Sequence, residues 1–385
     1  MTSLNSRKVY TTYFTIACVA TFFILSVSYR LLLPFGDEPD FTVRAPDLLS
    51  SEYFFWSPYG LLSLFFDGGA IQAFCKINAS PFSLSAQIDL ASCKEPLSQA
   101  LIRWLVVILV TLPLFIFCFI RYRSDGGNTY GKDALLLSII FPGTIYYLGV
   151  FSHEQLSLVL SLLIIVTWRF KLATLMLCTL ISAVDLGNSV VVIFFVVSLY
   201  FYGFITRVYS VRVSVIIMVI QVFLCFLLGH ELLYFTSSIG FLEGKSVAMY
   251  ELLNSSGLAE KYPVILRPII TFMTFIFFTP AFIKVPLAYV FSAAGLFYLS
   301  KKLAFKMKFD RGSTIVIDFL QMMVALSCIL SFVFMFPNYS NAKYYIFLLP
   351  FLFQFFLHVT DIKKFYLFVL FLNLLILLHL MYYTL

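Results

Sequence analysis

Acidic residues cluster where the first hydrophobic stretch of the chain ends. The sequence there reads SYRLLLPFGDEPDF and brings Asp37, Glu38 and Asp40 close together. Acidic groups at the edge of the hydrocarbon layer are costly, so their presence calls for an explanation. A carboxylate at such a place can act as a general base that deprotonates a hydroxyl nucleophile. Loop charges that are simply solvated are the alternative interpretation, and the sequence leaves both open.

Cationic side chains recur in the polar stretches between apolar segments. Arg44 follows the acidic motif, Arg267 directly precedes a proline and an apolar stretch, and Lys343 lies beside Tyr344 in NAKYYIFLLPF. Cations can neutralise a phosphate while a carboxylate activates a hydroxyl group, so this mixture suits a phosphate-bearing substrate embedded in a membrane. Snorkelling of each cation towards lipid headgroups is the alternative.

A short polar turn reads GVFSHEQLSLVL and places His153 and Glu154 at the start of a predicted helix. Helix capping is the alternative explanation here, because Ser152 can cap the helix and Glu154 is favourable near its positive end. The four His residues are scattered, and the sequence contains no CxxC or HExxH motif. A His-built metal site is therefore not predicted.

The composition is typical of a polytopic membrane protein. Hydrophobic residues make up 61% of the 385-residue chain and charged residues 12%, against about 45–50% and about 25% in soluble domains. The 46 Phe and 23 Tyr suit lipid-facing and interfacial surfaces. The net charge of +7 is not a nucleic-acid signal, because basic residues collect in cytoplasmic loops. We therefore predict an all-α protein with a single transmembrane domain over 1–385, membrane lipids around it and no nucleic-acid partner.

Stretches of about 20 mostly apolar residues predict about 11 transmembrane helices. Most Lys and Arg fall in turns that are cytoplasmic if the N-terminus is inside, and most Asp and Glu then lie on the opposite side. Asp318 lies a short way inside one span and is predicted to be structural or close to the cytoplasmic surface. The predicted spans are 10–33, 101–120, 133–151, 154–170, 172–187, 189–206, 213–235, 285–300, 313–336, 343–360 and 364–383.

A shorter apolar stretch, 268–283, does not fit this series. If it crossed the membrane fully, the Lys-rich segment 301–311 would be moved to the outside. Irregular backbone at membrane depth is tolerated only where protein or a watery cavity surrounds it. A re-entrant segment broken by Pro280 and Pro286 is therefore predicted, with a helix lying on the membrane surface as the alternative.

Two external loops stand out by their length, 34–100 and 236–267. The first contains SSEYFFWSPYGLLSLFF, an aromatic-rich stretch that is predicted to form helices along the membrane interface. It also contains Cys75 and Cys93, which an oxidising compartment would allow to pair. Two free thiols are the alternative to that disulfide.

These features resemble the GT-C superfamily of polytopic glycosyltransferases, which use polyprenyl-phosphate-linked sugars outside the cytoplasm. Three motifs carry the resemblance: GDEPDF followed by the interfacial helices, SHEQLSLVL after the third span, and NAKYYIFLLPF before a Leu-Pro span. Many relatives show Arg-Tyr where this chain has Lys343 and Tyr344, and we expect no large soluble domain after the last span. The compact size resembles bacterial enzymes that decorate surface polysaccharides such as O-antigen.

The resemblance implies a GT-C-like fold and an inverting transfer from a polyprenyl-phosphate-linked sugar donor to a glycan or glycolipid acceptor. Asp37 or Glu38 would be the catalytic base, opposite the leaving group as in inverting glycoside hydrolysis. Some relatives use a divalent metal ion, which carboxylate oxygens could bind. The implied substrate-binding residues are Asp40, Arg44, His153, Glu154, Arg267, Lys343 and Tyr344.

The implied location is a bacterial inner membrane with the site facing the periplasm, or alternatively an ER membrane with the site facing the lumen. Two other functions stay open. A polymerase of O-antigen or capsule repeat units usually places essential arginines in two large outer loops, where this chain has Arg44 and Arg267. A transporter or flippase should carry ionisable groups near the bilayer midplane and often shows repeats, whereas the charges here gather at the ends of spans.

Overall fold

The structure is a computed structural model, and all the secondary structure that it describes is helical. It describes residues 2–32, 107–118, 130–149, 153–237, 264–277, 314–336, 342–358 and 360–384, with no strand among them. Within these ranges four helices are long and apolar enough to cross a membrane: Thr12–Tyr29, Leu186–Val208, Val211–Gly229 and Ile315–Met335. The prediction of a helical membrane protein is thereby supported, whereas the count of about 11 spans and the GT-C-like architecture stay predictions.

The chain divides into two compact units. The first comprises Met1–Leu186 together with Tyr366–Leu385, and the second comprises Gly187–Phe365. The helices that contribute to the first unit are α1 (Thr2–Leu32), α2 (Val107–Cys118), α3 (Tyr130–Ile139), α4 (Pro142–Gly149), α5 (His153–Thr167), α6 (Lys171–Val184) and the greater part of α12 (Ile362–Thr384).

Hydrogen bonds between side chains join the first and last helices inside the first unit. The hydroxyls of Thr21 on α1 and Tyr366 on α12 lie 2.9 Å apart. Tyr29 on α1 donates to Asn373 Oδ1 at 2.5 Å, and Asn373 Nδ2 donates to the backbone oxygen of Ile140 at 3.0 Å. Because lipid supplies no hydrophobic drive between helices, such polar contacts help to fix which helices pair.

The predicted span 133–151 is divided into α3 and α4 rather than forming one helix. Pro142 is the first residue of α4, where its missing N–H and fixed φ are tolerated. Gly149 at the end of α4 lies so close to α1 that an added Cβ would stand 2.6 Å from Ser26 Oγ. The break therefore lets a short second helix pack tightly against α1.

The second unit is built around two of the four long helices, α8 (Val211–Ser237) and α10 (Thr314–Met335). Its elements are α7 (Leu186–Val208), α8 (Val211–Ser237), α9 (Arg267–Phe277), α10 (Thr314–Met335), α11 (Leu349–Phe356) and the 3-10 turns Val264–Leu266, Ala342–Tyr344 and Ile346–Leu348.

Helices α8 and α10 run in the same direction where residues 221–229 pack against residues 331–335. Gln221 on α8 donates to Ser331 Oγ on α10 at 3.0 Å, and further along both helices the rings of Phe226 and Phe334 lie 5.2 Å apart. Near the ends, a Cβ on Gly229 would lie 2.6 Å from the backbone oxygen of Phe334. The glycine is what allows the two backbones to approach, as small residues do between membrane helices.

The range 343–360, predicted as a single span, forms two 3-10 turns followed by the short helix α11. Pro350 lies in the first turn of α11, where a proline is compatible with a helix start but not with a continuous helix through it. The ring of Phe355 lies 5.7 Å from that of Phe319, near the start of α10. The other end of the segment, Ala342, follows Met335 at the end of α10 by only seven positions, so residues 342–358 run antiparallel to α10.

The described part of the predicted re-entrant stretch is α9. Its 11 residues rise about 16 Å, which is shorter than a hydrocarbon core of about 30 Å. Residues 278–283 lie outside the described ranges, so re-entry into the membrane stays a prediction.

Candidate functional site

The acidic motif GDEPDF, the predicted source of the catalytic base, lies outside the described residues. This applies to Asp37 and Glu38 as candidate bases and to Asp40 and Arg44 as substrate-binding residues. The interfacial helices and the Cys75–Cys93 pair lie outside as well. Their roles stay predictions.

The helix predicted to start at the SHEQ motif is present as α5. His153 is the first residue of α5, and Glu154 is in its first turn with only 5% of its surface exposed. A carboxylate at that position is stabilised by the positive end of the helix dipole. The neighbouring Gln155 donates from Nε2 to the backbone oxygen of Leu148 at 2.8 Å and thereby ties α5 to α4. The environment of Glu154 is thus well defined within the first unit, and it fits the capping and the binding interpretation equally.

Arg267 is the first residue of α9 and is buried, with 8% of its surface exposed. Its Nη1 donates to the backbone oxygen of Phe334 at 3.4 Å, close to the last turn of α10. A cation at the C-terminal end of a helix is favoured by the helix dipole. A guanidinium presents its N–H groups in a planar fork, and this geometry matches phosphate oxygens.

Lys343 and Tyr344 lie on the 3-10 turn Ala342–Tyr344, which packs against α9. The Nζ of Lys343 lies 5.2 Å from the centroid of the Tyr344 ring, a distance typical of a cation–π contact. Lys343 is half-buried, whereas the following Tyr345 is buried in the core. The turn therefore fixes the lysine stem while leaving part of the side chain accessible.

Two of the predicted phosphate-binding cations thus lie on elements that contact each other. We call this region the cationic end of the second unit, defined by Arg267, Lys343 and Tyr344. The N-terminus of α9 contributes a further partial positive charge there. Cations, a helix N-terminus and a tyrosine hydroxyl are groups that bind phosphate oxygens.

The structure also reveals a polar cluster around Asp318, whose partners were not predicted from the sequence. Asp318, on α10, is 3% exposed. Gln354 Nε2 donates to its Oδ1 at 2.6 Å, and His358 Nε2 lies 2.6 Å from its Oδ2. The lone acidic residue in TIVIDFLQMM indicates that a partner exists, because ionisable groups inside membrane spans usually have a partner and a role. The partners are 36 and 40 positions away, so no local pattern indicates them.

Among the described residues, no group of three or more His, Cys, Asp or Glu is arranged to hold a metal ion. Comparison of the chain with protein-family models, with curated proteins and with solved structures finds no match. The interpretation of the cationic end therefore depends on its own contacts and on the sequence motifs around it.

Proposed function

We propose that the protein is an integral membrane glycosyltransferase that moves a sugar from a polyprenyl-phosphate donor to a lipid-linked or surface glycan acceptor. The observation that supports this most directly is the cationic end of the second unit. There the buried Arg267 and the half-buried Lys343 lie on contacting elements at one end of a long apolar helix. A polyprenyl phosphate has the matching form, since an anionic headgroup is attached to a chain that needs an apolar surface.

In the proposed reaction, the acceptor hydroxyl attacks the anomeric carbon of the donor sugar. The new glycosidic C–O bond forms as the bond between that carbon and the phosphate oxygen breaks, so the configuration inverts. Asp37 or Glu38 takes the hydroxyl proton as general base. Polyprenyl phosphate leaves as an anion, and Arg267 and Lys343 stabilise the charge that develops on it.

Arg267 and Lys343 contribute to this scheme in different ways. Arg267 is buried and bonded to the Phe334 carbonyl, which restrains its guanidinium, so we expect it to need less reorganisation in the transition state than a free side chain. The Lys343 ammonium is a point charge on a flexible stem, held beside the Tyr344 ring. We therefore expect Arg267 to set the phosphate geometry and Lys343 mainly to raise donor affinity.

The cations are tested by donor binding. In lipid nanodiscs, Lys343→Gln should weaken binding of polyprenyl phosphate about 10-fold or more, since hydrogen bonds to charged groups contribute about 1.5–3 kcal/mol. Lys363→Gln is the matched control, because Lys363 is an exposed lysine at the start of α12. Equal affinities for the two variants would argue against phosphate binding by Lys343.

The acids are tested by turnover. Asp37→Asn or Glu38→Gln should abolish sugar transfer while the protein still inserts into the membrane and binds polyprenyl phosphate. Full transfer activity in both variants would remove this motif from the mechanism.

A repeat-unit polymerase is the second candidate, because a buried arginine at the end of the second long loop also fits that activity. Mass analysis of surface glycans from cells with and without the gene separates the two. Loss of side-branch sugars indicates the transferase, and loss of a ladder of chain lengths indicates the polymerase. Movement of substrate across the membrane that survives Asp37→Asn would instead indicate a transporter.

A further inference from the structure

The Asp318 cluster ties residues 342–358 to α10 by directional bonds. Both carboxylate oxygens are engaged, Oδ1 by Gln354 and Oδ2 by His358, each at 2.6 Å. These two partners are one helical turn apart and therefore face the same side. Hydrogen bonds of this length are sensitive to direction, and they are stronger where water is excluded.

The remainder of this segment is buried mainly through apolar side chains. Apolar contact is non-directional, so by itself it permits more than one position of the segment along α10. A buried carboxyl group does not, because a shift by one turn would remove both of these hydrogen-bond partners and leave buried polar atoms unsatisfied. The buried apolar residues of the segment are Ala342, Tyr345, Ile346, Phe347, Leu348, Leu349, Phe351, Leu352, Phe353, Phe355 and Leu357.

Buried polar clusters rarely stabilise a fold more than apolar packing would, and their best-attested use is to fix register. The register here has a specific consequence. Residues 342–358 run antiparallel to α10, and the distance from Asp318 to Phe334 along the helix is about 24 Å. The far end of the segment carries Lys343, whose turn packs on α9, and Arg267 on α9 is bonded to Phe334. The position of the segment along α10 thus determines where Lys343 stands relative to Arg267.

We infer that Asp318, through Gln354 and His358, is a positioning residue that fixes the register of residues 342–358 along α10 and so places Lys343 at the cationic end. The inference about the register depends only on the contacts described. The identity of the ligand at the cationic end, a polyprenyl phosphate, depends on the proposed function. The two parts are tested by different measurements.

The register is tested by the reactivity of a thiol placed at Lys343. A chain carrying Lys343→Cys is labelled with a membrane-impermeant maleimide, and the chain without that change gives the background from the seven native Cys. Replacing Asp318, Gln354 and His358 together by Leu keeps the interface apolar, so the protein is expected to remain folded while the register is released. The labelling rate should then change by more than the variation seen in the control, because a slip of one helical turn would move the thiol by about 5 Å.

The matched control for this experiment is Ser327→Ala. Ser327 is buried on the same helix, but its hydroxyl donates to the backbone oxygen of Val324 at 2.9 Å, within α10 itself. The Lys343→Cys chain that also carries Ser327→Ala should be labelled within about twofold of the rate of the Lys343→Cys chain alone, because no bond to residues 342–358 is lost. A triple-Leu chain that also stays within that range while remaining folded in size-exclusion chromatography overturns the inference.

The functional consequence is tested by polyprenyl phosphate binding in nanodiscs. Asp318→Asn, which preserves the size of the side chain, should weaken binding about tenfold, as Lys343→Gln does. The two changes combined should weaken it no further, because Asp318 acts through Lys343. Multiplicative losses would show that Asp318 acts elsewhere and would overturn the inference. If the unaltered chain binds no polyprenyl phosphate, the proposed function fails, and the labelling result still decides the register.

Discussion

Gly229 offers a direct test of the contact that brings α8 and α10 together. A Cβ added there would lie 2.6 Å from the Phe334 oxygen, 3.2 Å from the Phe334 carbonyl carbon and 3.3 Å from the Met335 Cα. All three are backbone atoms, so no rotamer change can relieve the contact. Ordinary contact begins at 3.4 Å, which means that the helices must separate by roughly 0.8 Å. Such overpacking costs about 1–3 kcal/mol.

Gly203→Ala is the matched control, because Gly203 is also inside a long helix of the second unit and its added Cβ would meet nothing within 4 Å. Both substitutions gain about 1 kcal/mol of helix propensity, so the difference between the variants isolates the clash. In detergent, Gly229→Ala should melt about 2–12 °C below Gly203→Ala, since 1 kcal/mol corresponds to about 2–4 °C for a unit of this size. Equal melting temperatures, or a higher one for Gly229→Ala, would refute the close approach of the two backbones.

The same substitution has a second consequence at the cationic end. The oxygen that a Cβ on Gly229 would meet is the one that accepts the bond from Arg267. Gly229→Ala should therefore also weaken polyprenyl phosphate binding, whereas Gly203→Ala should not. A variant that melts lower but binds normally would separate the helix contact from the orientation of Arg267.

Two further predictions concern the first unit. Asn373→Leu leaves the Tyr29 hydroxyl and the Ile140 carbonyl without their Asn373 partner, so it should destabilise the protein by about 1–3 kcal/mol in thermal melts, and adding Tyr29→Phe should recover part of that loss. A double variant as unstable as the sum of the single variants would contradict this. Burial lowers the pKa of Lys132, just before the predicted span 133–151, with the Asp133 carboxylate opposing the shift. The unfolded chain then binds more protons between the folded pKa and 10.5, so stability should rise with pH in that window. Lys132→Met should lose this rise when melting temperature is followed against pH.

Apolar length and composition predict the helical class of the fold but not where helices break. The predicted span 213–235 corresponds closely to α8, Val211–Ser237, because a long uninterrupted apolar run has few other ways to satisfy its backbone. The predicted spans 133–151 and 343–360 are not single continuous helices, because Pro142 begins α4 and Pro350 lies in the first turn of α11. Each proline was visible in the sequence, but whether it kinks or divides a helix depends on the packing around it.

The candidate site shows the same division between local signals and tertiary contacts. Arg267 and Lys343 were predicted from their positions beside apolar stretches, and the structure places them on contacting elements. The acceptor of Arg267, the Phe334 carbonyl, could not be predicted, since any backbone oxygen offers the same chemistry. The partners of Asp318 could not be predicted either, because they depend on how residues 342–358 align with α10.

The bonds between α1 and α12 have a consequence for how the protein is made. Tyr366 follows Thr21 by 345 positions, and Asn373 follows Tyr29 by 344. At synthesis rates of about 5–20 residues per second, α1 is in place for roughly 17–70 s before these partners exist. The second unit, which ends at Phe365, is fully translated by then. A premature stop shortly after Phe365 would therefore yield a chain whose second unit is complete and whose first unit can never close, a ready substrate for membrane quality control.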